Sequence, residues 1–502
     1  MNIAKHVERI ARQDPGRQAI VFEGKDIRYG ALDACACALA NSLRVNGVRR
    51  GDRVALYLPN IPAFMLAYLA GEKVGAIVVS VNSIFKSEEV KYLLNDSASR
   101  VVFTTAELLP NVPRSECPSL EKTVICEGVI ADEILLGDWL AAGKPAFNTE
   151  DMAADDPAVL LYSSGTTGFP KGVTLTHNNI ITNTRAAVNC SGHNAQDRLA
   201  IFLPLFHVFA QNYIMNAGFE AGATLVLFRR FVPEVVLEEI QRQRVTMFFA
   251  VPTIYIALLG ANVPKQKLAS IRYFFSAAAT MPQEISRRWT ETYGPAVHEG
   301  YGLTECSPCA AYNHVSRHKF GSVGTAIEDF EVKIFDENDQ ELPRGQWGEI
   351  VMRGPGVMKE YWGKPEDTAQ ALRGGWLHSG DIGKMDEEGY IFIVDRVKDM
   401  INVSGFKVWP AEVEHYLYQI PQIKEVAVYG MPDALKGESV CAAVVLNEGA
   451  QLAPGDLIDW CKERLAAYKT PERVDIVKEL PKSATGKILK RILRDQAPKA
   501  GA

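Results

Sequence analysis

The 502-residue chain predicts an α/β fold: a large N-terminal domain of two doubly wound αβα subdomains plus a small β-barrel, followed by a small α+β C-terminal domain. Three observations carry this prediction. Short apolar runs alternate with amphipathic segments over residues 26–104 and again over 199–299, the rhythm of parallel strands joined by crossover helices. From about Phe320 short strands dominate, punctuated by glycine, as in a small barrel or antiparallel sheet. Beyond Asp395 helices and strands mix in a compact unit.

Taken in order, residues 26–45 place Leu32, Leu39 and Leu43 at helical spacing, and Gly47 closes the segment. Residues 53–58 read as a strand, 63–73 as a helix and 76–80 as a strand. Residues 86–95 form an amphipathic helix with Val90, Leu93 and Leu94 on one side, followed by a strand at 100–104. Residues 112–154 show little pattern and are expected to form a variable edge region. The apolar run 158–162 and the alternating run 173–176 are strands flanking a glycine-rich loop. Strands follow at 199–203, 223–228, 245–249, 272–275 and 296–299, with helices at 233–242 and 282–293. Short strands at 331–335, 348–353, 376–378 and 390–394 come next. Pro410 suits the first turn of a helix over 410–418; strands at 424–429 and 439–446 and a helix at 457–465 complete the chain. The domain boundary is expected near Lys398, giving domains 1–397 and 398–502.

At this length one compact core is not enough, and two or more domains are expected. The apolar and charged fractions, 47% and 23%, are those of an ordinary globular protein. A net charge of −6 without long runs of one sign points away from nucleic acid and from anionic membrane surfaces. The N-terminus mixes charges from Lys5 onward, and the uncharged stretch 54–71 is broken by Pro59 and Pro62. No membrane span is expected, and a cytoplasmic protein is. Nine scattered cysteines suit a reducing compartment. Cys306-x-x-Cys309 with His314 and His318 has too short a spacer for a zinc finger, so ordinary thiols near a functional loop are expected.

Joining the strands at 158–162 and 173–176 is Tyr162-Ser163-Ser164-Gly165-Thr166-Thr167-Gly168-Phe169-Pro170-Lys171-Gly172. Such a loop can turn successive backbone N–H groups toward one anion, while its hydroxyls add donors. It is not a Walker A loop, because proline precedes the lysine and a strand follows. A flexible surface linker is the alternative, and composition alone leaves both open.

Four further stretches occur in order: Gly300-Tyr301-Gly302-Leu303-Thr304-Glu305, Ser379-Gly380-Asp381, Asp395-Arg396-Val397-Lys398-Asp399, and Pro481-Lys482-Ser483-Ala484-Thr485-Gly486-Lys487. Together with the loop they resemble the AMP-forming acyl-CoA synthetases, relatives of luciferases and peptide-synthetase adenylation domains, over essentially the whole chain. The resemblance implies that ATP and a carboxylic acid form an acyl-adenylate and pyrophosphate. The acyl group then passes to coenzyme A, the small domain being mobile and rotating between the halves. It implies that Ser163, Ser164, Gly165, Thr166, Thr167, Gly168 and Lys171 hold the departing phosphates. Tyr301, between Gly300 and Gly302, would stack on adenine; in isolation it reads as core packing. Thr304 would bond the α-phosphate, Glu305 would bind Mg²⁺, a cation that prefers oxygen ligands, and Asp381 the ribose hydroxyls. The turn 276–280, with Ala278, resembles the adenine-contacting turn, where relatives usually carry glycine and proline. Lys487 is the catalytic residue expected for the first step, and Lys398 the hinge, with Arg396 near the nucleotide. Gly405, in the stretch 402–410, would leave room for the pantetheine arm, although Trp409 replaces the usual tyrosine. His207 would lie near the substrate carboxylate, with residues 204–210 and 249–255 lining the acyl pocket and Gln211 and Asn212 adding polarity at its mouth. No aspartate stands where amino-acid-activating relatives bind an amine.

A fatty acid is therefore the first expected substrate, with an aryl acid as alternative. An acyl-carrier protein is the alternative acceptor, and a homodimer a further candidate partner. A nucleotide-sensing protein without activity is opposed by Glu305 and Lys487, and a serine hydrolase by the lack of a Gly-x-Ser-x-Gly elbow.

Overall fold

The computed structural model describes residues 1–163, 170–396, 399–433 and 435–496. Two large sheets dominate it. The first has eight strands in the order Glu360–Tyr361, Lys171–Thr176, Pro157–Ser163, Ile77–Ser80, Arg53–Leu56, Val101–Thr104, Lys122–Ile125 and Ile134–Leu135. The second has nine: Thr325–Ala326, Ala311–Tyr312, Val297–Tyr301, Tyr273–Ser276, Met247–Ala250, Arg198–Ile201, Thr224–Leu227, Gln18–Phe22 and Lys25–Arg28. The central strands of both sheets are parallel and buried along their whole length, as strands covered by helices on both faces must be.

The doubly wound reading holds, with two physical differences. The expectation of two αβα layers in strict succession is broken by Gln18–Phe22, which pairs parallel with Thr224–Leu227 in the second sheet. The hairpin Pro157–Ser163/Lys171–Thr176 is antiparallel, which puts both feet of the glycine-rich loop on adjacent strands. The patternless stretch 112–154 does contain edge strands, Lys122–Ile125 and Ile134–Leu135, and the short helix Leu136–Ala142.

A four-stranded antiparallel sheet follows, in the order Glu331–Phe335, Gly348–Arg353, Leu377–Met385, Ile391–Arg396. The C-terminal unit is a sheet of Phe406–Val408, Ile401–Val403, Gly437–Leu446 and Ile423–Asp433, with Arg473–Ile476 parallel to Gly437–Leu446. Helices Pro410–Leu417 and Pro454–Lys462 accompany it, each beginning with proline, whose missing N–H costs nothing there. Among the described residues no helix is long and apolar enough to cross a membrane.

Candidate active site

The strand ends build the site. Thr176 closes the hairpin and caps helix His177–Ser191: its hydroxyl accepts the Asn179 N–H at 3.1 Å, and the Asn179 side chain accepts the Thr176 N–H at 2.8 Å. From that helix the Asn183 amide donates to the carbonyls of Cys306 and Cys309, at 3.0 and 2.7 Å. The turn carrying Thr304 and Glu305 is thereby fixed to the hairpin. Ser163 Oγ lies 3.3 Å from Glu305 Oε1, and the Tyr361 hydroxyl donates to the same oxygen at 2.9 Å. Lys171, at the other foot of the loop, pairs with Asp367, and its ammonium lies 5.2 Å from the Tyr361 ring centroid. The loop is braced from below, where the Tyr92 hydroxyl donates to the Pro170 carbonyl at 3.0 Å and Tyr162 to Asp96 at 2.7 Å.

Tyr301 and Asp381 come together across 80 residues: the phenol donates to Asp381 Oδ2 at 2.8 Å. The turn before Asp381 is locked. The Gly380 N–H, at φ +69°, donates to Glu349 Oε1 at 2.9 Å, and Ser379 Oγ accepts the Asp381 N–H at 3.0 Å. Asp381 faces Arg396 across the ladder of the four-stranded sheet. Gly300 and Gly302 answer first to packing. A Cβ on Gly300 would meet the Phe275 ring at 2.4 Å, and one on Gly302 the Pro308 carbonyl at 1.7 Å. Ala278 holds φ +69°, a conformation that favours glycine.

His207 Nδ1 accepts the Phe209 N–H at 3.3 Å, which leaves Nε2 as the protonated nitrogen. Burial, helped by the cation of Lys487, pushes its pKa down to about 4, so the ring is neutral. Lys487 therefore sits within electrostatic reach of His207 although it belongs to the C-terminal unit. Its loop is seated on the large domain: the Thr253 hydroxyl donates to the Gly486 carbonyl at 3.4 Å, and Val251 packs where a Gly486 Cβ would lie. Phe209, Tyr213, Phe249 and Phe275 are all buried, with ring centroids 4.8–6.1 Å apart. The pairing of Phe249 with Phe275 on adjacent strands puts both rings on one sheet face.

Some expected site residues are not placed by the structure, or are placed elsewhere. Ser164, Gly165, Thr166, Thr167, Gly168 and Lys398 lie outside the described residues, as does the side chain of Arg396. Gln211 and Asn212 are not at a pocket mouth. Both are fully buried, Gln211 donating to Ser80 Oγ at 2.7 Å and Asn212 to the Ser307 carbonyl at 3.3 Å. They lie in the π-helix Phe209–Asn216, whose widened turns suit internal polar contacts. Gly405 is exposed at φ +88° with no atom near its Cβ position, so no tunnel surrounds it in this arrangement of the domains. Cys306 and Cys309 are buried thiols bonded to backbone carbonyls, Cys306 to Pro308 at 2.8 Å and Cys309 to Ala311 at 3.4 Å. Tyr361, Asp367 and Glu349 escaped the sequence reading, because two-residue strands and turns leave no periodicity to find.

Two lobes thus meet over one polar cleft, the arrangement of a nucleotide-dependent ligase. The family described as AMP-binding enzyme matches residues 7–362, and the AMP-binding enzyme C-terminal domain matches residues 412–487. A long-chain-fatty-acid–CoA ligase of Bacillus subtilis (strain 168) is 36% identical over 529 residues, covering 97% of this chain and 93% of that one. A feruloyl-CoA synthase of an Amycolatopsis species is 36% identical over 492 residues, 97% of each chain. The crystal structure of the anthranilate CoA ligase AuaEII in complex with anthranoyl-AMP superposes with a TM-score of 0.93 at 30% identity, over 99% of this chain and 97% of that one. The chain belongs to the AMP-binding enzymes and is an AMP-forming acyl-CoA synthetase.

Proposed function

We propose that this cleft activates a carboxylic acid in two half-reactions. The acid's carboxylate oxygen attacks the α-phosphorus of ATP, the bond to the β-phosphate breaks, and pyrophosphate leaves. The thiol of CoA then attacks the acyl carbonyl carbon, the bond to AMP breaks, and AMP leaves. Neither step needs a covalent enzyme intermediate, so the protein's work is positioning and charge neutralisation. The observation that carries this reading is the seating of the Gly486–Lys487 loop on Thr253, which brings a cation from the small domain beside neutral His207.

In this reading Lys487 neutralises charge on the carboxylate and α-phosphate, aided by Thr304, while neutral His207 faces the carboxylate with its Nε2–H. Ser163 to Gly168 and Lys171 bind the departing phosphates, Lys171 exchanging Asp367 for them. Tyr301 stacks on adenine beside Ala278, and Asp381 and Arg396 hold the ribose and phosphate. Mg²⁺ enters with ATP as substrate. The carboxylate of Glu305, flanked by the hydroxyls of Ser163 and Tyr361, is an all-oxygen donor set that suits it. Lys398 is the hinge at the 397/398 boundary, and rotation there brings Gly405 to the pantetheine arm. The setting is cytoplasmic, CoA is the first acceptor and an acyl-carrier protein the second, and a homodimer is the assembly to test by light scattering.

A fatty acid is the first candidate substrate, in line with the Bacillus relative's name. One observation favours an aryl acid instead. Phe209, whose N–H bonds His207, packs with the rings of Tyr213, Phe249 and Phe275 in one aromatic cluster, a wall that suits a short flat body better than a long flexible tail. A panel of fatty and aryl acids with ATP, Mg²⁺ and CoA, scored for AMP and thioester, tests both. Absence of AMP with every acid would refute the reading.

A further inference from the structure

Residues 360–368 have no part in the sequence motifs, yet they touch both charged groups at the feet of the phosphate loop. Glu360–Tyr361 is the outermost strand beside Lys171–Thr176, with Tyr361 opposite Val173. Thr368 Oγ1 accepts the Tyr361 N–H at 3.0 Å and donates to the Lys364 carbonyl at 2.8 Å, which locks that strand to helix Pro365–Ala371. From this mount the Tyr361 hydroxyl donates to Glu305 Oε1 at 2.9 Å. Its ring underlies the Lys171 ammonium at 5.2 Å, and Asp367 pairs with the same ammonium. Among the described residues both hydrogen bonds to the Glu305 side chain fall on Oε1, which anchors that oxygen of the carboxylate.

We infer that Tyr361 is a positioning residue for Mg·ATP: it orients Glu305 through its hydroxyl while its ring steadies Lys171. This rests on the reading of Glu305 as the metal-facing carboxylate. Tyr361→Phe keeps the ring and removes only the donor. ATP binding by calorimetry across a Mg²⁺ titration reads the effect without any acid substrate. The Mg²⁺ concentration for half-maximal ATP binding is expected to rise about tenfold, as for loss of a hydrogen bond to a charged group. The KM values for acid and CoA stay at those of the parent enzyme. In a Glu305→Gln background the same substitution has no further effect on the Mg²⁺ midpoint. An unchanged midpoint in folded Tyr361→Phe overturns the inference, as does full additivity with Glu305→Gln. Should Tyr361→Phe not fold, Thr368→Val unseats the ring instead. A raised midpoint there supports the inference and an unchanged one overturns it. An enzyme that binds Mg·ATP but activates no acid would refute the proposed function and leave this test intact.

Discussion

Gly405 sits at φ +88° in open space, so two effects of a side chain there can be told apart. Backbone strain acts on any substitution, whereas obstruction of an arriving thiol grows with size. Gly405→Ala is expected to destabilise the protein by about 1 kcal/mol and to leave ATP–pyrophosphate exchange intact. Gly405→Leu is expected to spare exchange as well but to abolish thioester formation. Equal loss of both activities would contradict the pantetheine assignment. Ala278 presents the opposite case, an alanine held at φ +69°. Ala278→Gly relieves that strain, and thermal unfolding should show a gain of up to about 1 kcal/mol, offset in part by the entropy glycine adds to the unfolded chain. A lower melting temperature would show that the methyl group is held by contacts, not merely tolerated.

Between neighbouring elements, the polar groups sealed inside set the response to acid. His177 and His193 are buried, and burial pushes both down to about 4, as it does His207. Each is neutral in the folded protein but takes up a proton near pH 6.5 once unfolded. Their contribution to stability is therefore full above pH 6.5 and is lost as pH falls toward 4. His193 is buried and stacks on Phe249, with ring centroids 5.7 Å apart. His193→Phe should keep that stacking, remove one proton-uptake site, and raise stability more at pH 5 than at pH 7.5. Denaturant titrations at the two values check this, and an equal effect at both would contradict it. Glu299 has the opposite sign: burial raises it to about 8, so its contribution is full below 4.5 and is lost as pH rises through 8.

These same elements mark what was legible in the sequence. Strands such as Met247–Ala250 and Tyr273–Ser276 announce themselves as short apolar runs bounded by polar residues. Helix His177–Ser191 does not, because its buried face carries Asn179 and Asn183 where an apolar stripe was sought. The π-helix Phe209–Asn216 is buried on every side and so has no amphipathic period. In the candidate site, Ser163, Glu305, Tyr301 and Asp381 stand in contiguous motifs that a linear reading singles out, and the fold pairs Ser163 with Glu305 and Tyr301 with Asp381. Tyr361 and Glu349 act through single contacts across the fold, which a linear pattern does not record.

At the scale of the molecule, the proposed reaction draws on both lobes. In that reading the large domain supplies Glu305, the Tyr301–Asp381 pair and His207, and Lys487, within electrostatic reach of His207, comes from the small domain on a loop seated against Val251 and Thr253. Gly486, at φ +80°, lets that loop approach closely, since a Cβ there would come within 3.0 Å of Val251. In the proposed reading the small domain leaves before the thiol enters, and so small a seat is one that can be made and broken as a unit. The measurement that tests this most directly separates the half-reactions in Lys487→Ala. ATP–pyrophosphate exchange should fall by at least about a hundredfold, while thioester formation from supplied acyl-adenylate and CoA proceeds at close to the parent rate. Loss of both activities together, or retention of exchange, would contradict the account.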